Sequence, residues 1–147
     1  MAAEMTRLGL LPDAILVSSA RRTRQTLDAL KPLAGNPIVQ VMDALYLAPW
    51  ENLLEVLHKV PETVRSVLLI GHNPGLHDLA LNLVAPHGEE TPTLFRLRDG
   101  YPTGALCEFA IGAPWQGLTD GGGQLIQFTA PRDLPGAESL TDAEGPA

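Results

Sequence analysis

The stretch LLIGHNPGLHDLALNLV, residues 68–84, decides the fold. The run Ser66 to Ile70 predicts a buried strand, because its apolar residues are continuous rather than alternating, as in a strand covered on both faces. Gly71 marks the turn out of it. Asn73 is placed to cap a helix, and Pro74 suits its first turn. Leu76, Leu79, Ala80, Leu83 and Val84 then share one apolar face. Strand, glycine turn and capped helix in that order form one βα unit of a sheet with helices on its faces.

The same alternation extends in both directions. Upstream, Ala14–Val17 predicts a second buried strand, and ARRTRQTLDALKPL a helix with Thr23, Leu27 and Leu30 inward and Arg24, Asp28 and Lys31 toward water. Ser18 or Ser19 is its expected cap and Pro32 its end. Pro37–Val41 predicts a short strand, followed by the loop ALYLAP. In WENLLEVLHKV, Trp50, Leu53, Leu54 and Leu57 recur at helical spacing. Residues 1 to about 10 form an expected first helix, with Met5 and Leu8 sharing a face. Downstream, Leu106–Ile111 and Gln124–Phe128 predict two strands, separated by a loop with Trp115 and three consecutive glycines.

Composition limits the function. A chain of 147 residues supports one substantial core, here expected over residues 1–134. After Arg132 there are four acids and no base, so residues 135–147 are expected to form a flexible acidic tail. With a net charge of −7, the surface as a whole should repel nucleic acid, although a local basic pocket is compatible with it. No run of about eighteen apolar residues exists, so no membrane span is expected. The single cysteine, Cys107, can form no internal disulfide and reads as a small buried residue within a strand. Cytoplasm is the default location.

In such folds, ligand loops lie beyond the carboxyl ends of the parallel strands. Two loops occupy such places, SSARR after the first strand and GHNPG after the later one. Arg22 lies just inside a helix start, where a guanidinium and free backbone donors together suit phosphate. From this feature alone, a solvated arginine is an equal reading. Arg21 and Arg24 read as surface residues. His72, at the end of a buried strand, can donate to phosphate or exchange a proton, or it can be a hydrogen-bonded structural histidine. Thr103 can touch substrate and Gly104 permits close backbone approach, but a turn before a packed strand explains both. Trp115 reads as the anchor of its loop. His58, His77 and His87 show no metal-site spacing, so neither a metal nor another cofactor is expected.

SSARRTRQT, ALY, GHNPGLHDLA, YPTGAL and Trp115 together resemble the SixA-type phosphohistidine phosphatases, within the phosphoglycerate-mutase-like histidine phosphatase superfamily. The resemblance runs from the first helix to the region near Leu134. It departs from the family pattern at Ser19, where proline is common. It implies a three-layer α/β/α domain and dephosphorylation through a phosphohistidine intermediate. Arg22 matches the family's second phosphate-binding arginine, and His72 its second pocket histidine, which is not the nucleophile. Ser19, Arg21 and Thr103 fall at the expected pocket rim; Gly71, Asn73, Pro74, Gly104 and Trp115 have structural roles.

The resemblance also implies an opening strand ending in arginine–histidine–glycine, whose histidine attacks phosphorus. No such motif occurs in residues 1–147. Two explanations stay open: a start inside the original domain, which is favoured, or a shortened inactive relative. Either way the chain as given is expected to be inactive and incomplete at its sheet, with association through the gap as one consequence. The expected partner is a phosphorylated protein or a small phosphomonoester. The competing function is a non-catalytic module that binds phosphate or a phosphoprotein.

Overall fold

Five helices and five strands follow one another in a computed structural model that describes residues 1–84 and 90–134. They are α1 (Ala2–Arg7), β1 (Ala14–Ser18), α2 (Arg21–Leu30), β2 (Ile38–Met42), α3 (Trp50–His58), β3 (Val67–Ile70), α4 (Gly75–Val84), α5 (Pro92–Asp99), β4 (Leu106–Ile111) and β5 (Gly123–Thr129). The expected acidic tail, 135–147, and His87 lie outside the described residues.

β1 is buried at every position, as its uninterrupted apolar run requires. Leu16 packs on one side with Leu53 and Leu57 of α3 and Leu79 and Leu83 of α4. Ile15 and Val17 pack on the other, with Met5 of α1 and Leu27 and Leu30 of α2. Helices therefore cover both faces, and the layers are α/β/α. β1 pairs in parallel with β2, Ala14 opposite Ile38, and with β3, Ala14 opposite Val67, giving the order β2-β1-β3. β4 and β5 pair antiparallel as a separate two-stranded sheet, with an irregularity between Glu108 and Phe109.

β4 runs opposite to β3. Asn73, just past the end of β3, donates from Nδ2 to the carbonyl of Tyr101, just before β4, at 2.7 Å. At the other end, the indole N–H of Trp115, beyond β4, donates to the carbonyl of Val64, before β3, at 2.8 Å. Between the two sheets lies a cavity of about 1080 Å³, lined by all of Val67–Ile70 and all of Leu106–Ile111. Helix residues from both layers close it above and below, among them Met5, Leu30, Leu79 and Leu83. Among the described residues, no helix is long and apolar enough to cross a membrane.

Three local expectations need correction. Neither Ser18 nor Ser19 caps α2; the N-cap is Ala20, with no side-chain capping bond, because Ser18 Oγ is turned inward. Asn73 does not cap α4, because its amide is spent on Tyr101, and its buried Oδ1 has no partner among the described residues. Helix α5 was not expected. It is capped by Thr91, whose side chain accepts from the N–H of Leu94, with Pro92 opening the first turn.

Candidate active site

The site begins at Ser18, the last residue of β1 and wholly buried. Its Oγ accepts from the N–H of Ala20 at 3.2 Å. The hydroxyl of buried Thr23 lies 2.8 Å from both the Ser18 and Ala20 carbonyls, to which it donates. These bonds fix the passage from β1 into α2, so the helix starts directly over the strand end. With no capping side chain and no acid in its first turn, α2 offers that end to an anion.

Helical geometry separates the three arginines. Arg22 lines the cavity between β3 and β4, together with His72 and Thr103. Arg21 and Arg24 line a different groove, beside Lys31 and the β2 residues Val39 and Val41. Ser19 is held through its backbone N–H, which donates to the Met42 carbonyl at 3.2 Å. Of the expected pocket-rim residues, Thr103 thus reaches the cavity that holds His72, and Arg21 lines the other groove.

His72 follows β3 immediately, after Gly71. Its Nε2 lies 2.8 Å from Ser18 Oγ, in a hydrogen bond whose direction depends on the tautomer of the ring. The ring of Tyr46 meets it edge-on, with centroids 5.6 Å apart. Burial holds the imidazole below the ordinary histidine range. A neutral ring favours Ser18 as donor to Nε2 and leaves Nδ1–H as the second donor. An oxyanion nearby would reverse the shift, because negative charge favours the protonated ring.

The remaining candidates have structural partners. His58 Nε2 bonds the Leu118 carbonyl at 2.7 Å, and His77 Nε2 bonds the Leu97 carbonyl at 2.6 Å. Trp115 anchors its loop through Val64 and through its own N–H, which donates to Glu62 at 2.7 Å. Gly104 has φ +80, and a Cβ there would press on Pro131 at 3.2 Å. Gly71 needs no such freedom, and a Cβ would make only ordinary contact with Leu76 at 3.6 Å. Burial pushes the Cys107 thiol up to about 12, in keeping with an inert side chain. Among the described residues, no group of three metal-ligating side chains is present.

The sequence reading missed three residues. Ser18 was weighed only as a cap, whereas its Oγ meets His72 across from β3. Tyr46 was read as part of a loop. Gly75, the second glycine of GHNPG, sits so close to the Ala48 carbonyl oxygen that any Cβ would overlap it. That contact seats the start of α4 against the loop carrying Tyr46.

No protein-family profile matches the chain. An uncharacterized protein of Mycobacterium tuberculosis is 28% identical over 120 residues, covering 82% of this chain and 74% of the relative. One from Mycobacterium leprae is 25% identical over 120 residues, covering 82% and 72%. Two solved structures assigned as the phosphohistidine phosphatase SixA are similar throughout the described fold. The protein from Nakamurella multipartitia aligns with TM-score 0.75 and 25% identity, covering 88% of this chain and 77% of that one. The protein from Agrobacterium tumefaciens gives 0.71 and 28%, covering 88% and 75%. A further SixA, solved with tungstate, shares the fold at 0.67 and 20% identity, covering 88% and 76%.

Proposed function

We propose that this chain, which has the SixA-type histidine phosphatase fold, carries the oxyanion-holding half of a phosphohydrolase site and acts, by lineage, on phosphohistidine. The observation that carries the proposal is the Ser18–His72 hydrogen bond, with Arg22 lining the same cavity. It unites the two loops that leave β1 and β3. A guanidinium, an imidazole and the open end of α2 can surround a phosphoryl group and stabilise its charge. Tungstate, bound by one SixA of this fold, is an oxyanion of the same class. A phosphorylated protein side chain is the preferred substrate over a small phosphomonoester. The names of the SixA neighbours and the exposure of Arg22 support that preference. A cytoplasmic location belongs to the same reading, supported by a lone cysteine that can form no internal disulfide.

In residues 1–147 this half-site binds without turning over. In-line attack needs a nucleophile behind the phosphorus, and a misplacement of ~1 Å can cost about a hundredfold in rate. His72 stands beside the phosphoryl position, tied to Ser18, while the rings of His58 and His77 are committed to carbonyls. These commitments favour a second reading for the chain as given, a phosphate- or phosphoprotein-binding module.

A radiolabelled phosphohistidine protein separates the possibilities. After a quench that preserves acid-labile phosphate, the chain should carry no covalent label and release no phosphate. Form extension by an upstream arginine–histidine–glycine strand should restore both. Stoichiometric phosphohistidine and sustained turnover by residues 1–147 would contradict the proposal.

A further inference from the structure

Strand β2 is hydrogen-bonded to β1 alone, and its residues 38–41 are exposed although Ile38, Val39 and Val41 are aliphatic. In a strand, the N–H and C=O of one residue point to the same side and alternate from residue to residue. The Ile38 N–H donates to the Asp13 carbonyl, and the Met42 carbonyl accepts from Ser19. Ile38, Gln40 and Met42 thus turn their main chain toward β1. Val39 and Val41 turn theirs outward, along an open edge.

The same two valines line a groove whose other wall is α2, with Arg21, Arg24 and Lys31. These are three of the ten lysines and arginines in a chain with 17 acids, so the groove runs against the charge of the molecule. Lys31 pairs with Asp28 at 3.3 Å. Among the described residues, Arg21 and Arg24 have no acidic partner.

We propose that this edge is a docking site for an extended acidic segment of a partner polypeptide, which adds to β2 as a further strand. The outward main chain of Val39 and Val41 offers two donors and two acceptors in ladder register, and a strand meets all four. A phosphate backbone carries acceptors only and would leave the two carbonyls unmet, and the net charge of −7 repels nucleic acid as a whole. Along the axis of α2, Arg21 and Lys31 stand about 15 Å apart, and five strand residues span about 17 Å, so the segment has five or six residues. Its side chains alternate: acidic toward α2, aliphatic on the opposite face beside exposed Ile38. Pairing β2 with β2 of a second copy would set the cations of two α2 helices side by side. Such charge guards an edge against self-pairing, and the same charge attracts an acidic strand. The groove is separate from the cavity that holds His72, and the inference stands whether or not the protein hydrolyses anything.

The test uses the whole chain and a fluorescent six-residue peptide of alternating glutamate and valine. One control replaces glutamate by lysine; another carries N-methylated amides along one edge, which block the ladder. Anisotropy at low salt should show saturable one-to-one binding that weakens as salt is added. Both controls should bind at least about tenfold more weakly, through lost charge pairing or lost ladder bonds. Amide exchange should slow at Val39 and Val41, while Ile38, Gln40 and Met42, already bonded to β1, serve as the internal reference. Arg24→Glu with Lys31→Glu should reverse the preference, so that the lysine peptide binds better than the glutamate one. Arg24→Gln with Lys31→Gln should weaken the glutamate peptide and flatten its salt dependence. Absence of saturable binding overturns the proposal, as does equal binding of the lysine or N-methylated peptide. So does full affinity in the glutamine variant, saturation without slower exchange at Val39 and Val41, or displacement by an equal concentration of a single-stranded oligonucleotide.

Discussion

At the scale of single residues, the account rests on Arg22, His72 and Ser18. Arg22→Ala should weaken sulfate binding by about tenfold in calorimetry. This is the low end of roughly 1.5–3 kcal/mol for a charged hydrogen bond, because Arg22 is exposed. Arg21→Ala and Arg24→Ala should change it far less, since both line another groove. Equal losses in all three variants would remove the special role of Arg22. The lowered affinity of His72 for protons yields a second expectation. Sulfate stays a dianion through the neutral range, so any proton taken up on binding comes to the protein. The anion should raise the His72 pKa, and binding should tighten as pH falls through the ordinary histidine range. Calorimetry in buffers of different ionisation enthalpy would report this uptake, and its absence would contradict the assignment. Without ligand the sign reverses. The folded state binds fewer protons at His72 than the unfolded state, so stability should fall as pH drops from the ordinary value of 6.5 to the lowered one.

At the scale of elements, Gly75 and Gly71 make a paired test. Gly75→Ala drives a methyl group into the Ala48 carbonyl, which is backbone and cannot swing aside. The cost should approach the upper part of about 1–3 kcal/mol, lowering Tm at about 2–4 °C per kcal/mol. Gly71→Ala meets only ordinary contact and should leave Tm nearly unchanged. A thermal melt in which Gly71→Ala is the more damaging would overturn this view of the GHNPG turn. The contrast also shows what the sequence revealed. Continuous apolar runs gave β1 and β3 away, but only β1 is buried at every position; β3 lines the cavity and is fully buried at Ile70 alone. Helical spacing did the same for α2, α3 and α4. Helix α5 was hidden, since PTLFRLRD has only Leu94 and Leu97 buried, and its cap Thr91 follows a breaker-like stretch. Likewise, no local pattern distinguishes a serine that caps the next helix from one that reaches across to His72. That choice is made by the neighbouring strand, which lies far away in sequence.

At the scale of the molecule, the sheet is interrupted beside the point where the site assembles. Arg22, His72 and Thr103 line the same cavity as the open edges of β3 and β4. The most direct measurement of the central claim follows the ring nitrogens of the histidines by nitrogen-15 NMR during titration with tungstate. The account predicts that the His72 resonances shift toward the protonated form and saturate, while those of His58 and His77, each held by a carbonyl, stay in place. It also predicts that Arg22→Ala shifts the His72 titration to higher tungstate. A His72 ring that ignores tungstate while the anion binds elsewhere would contradict it.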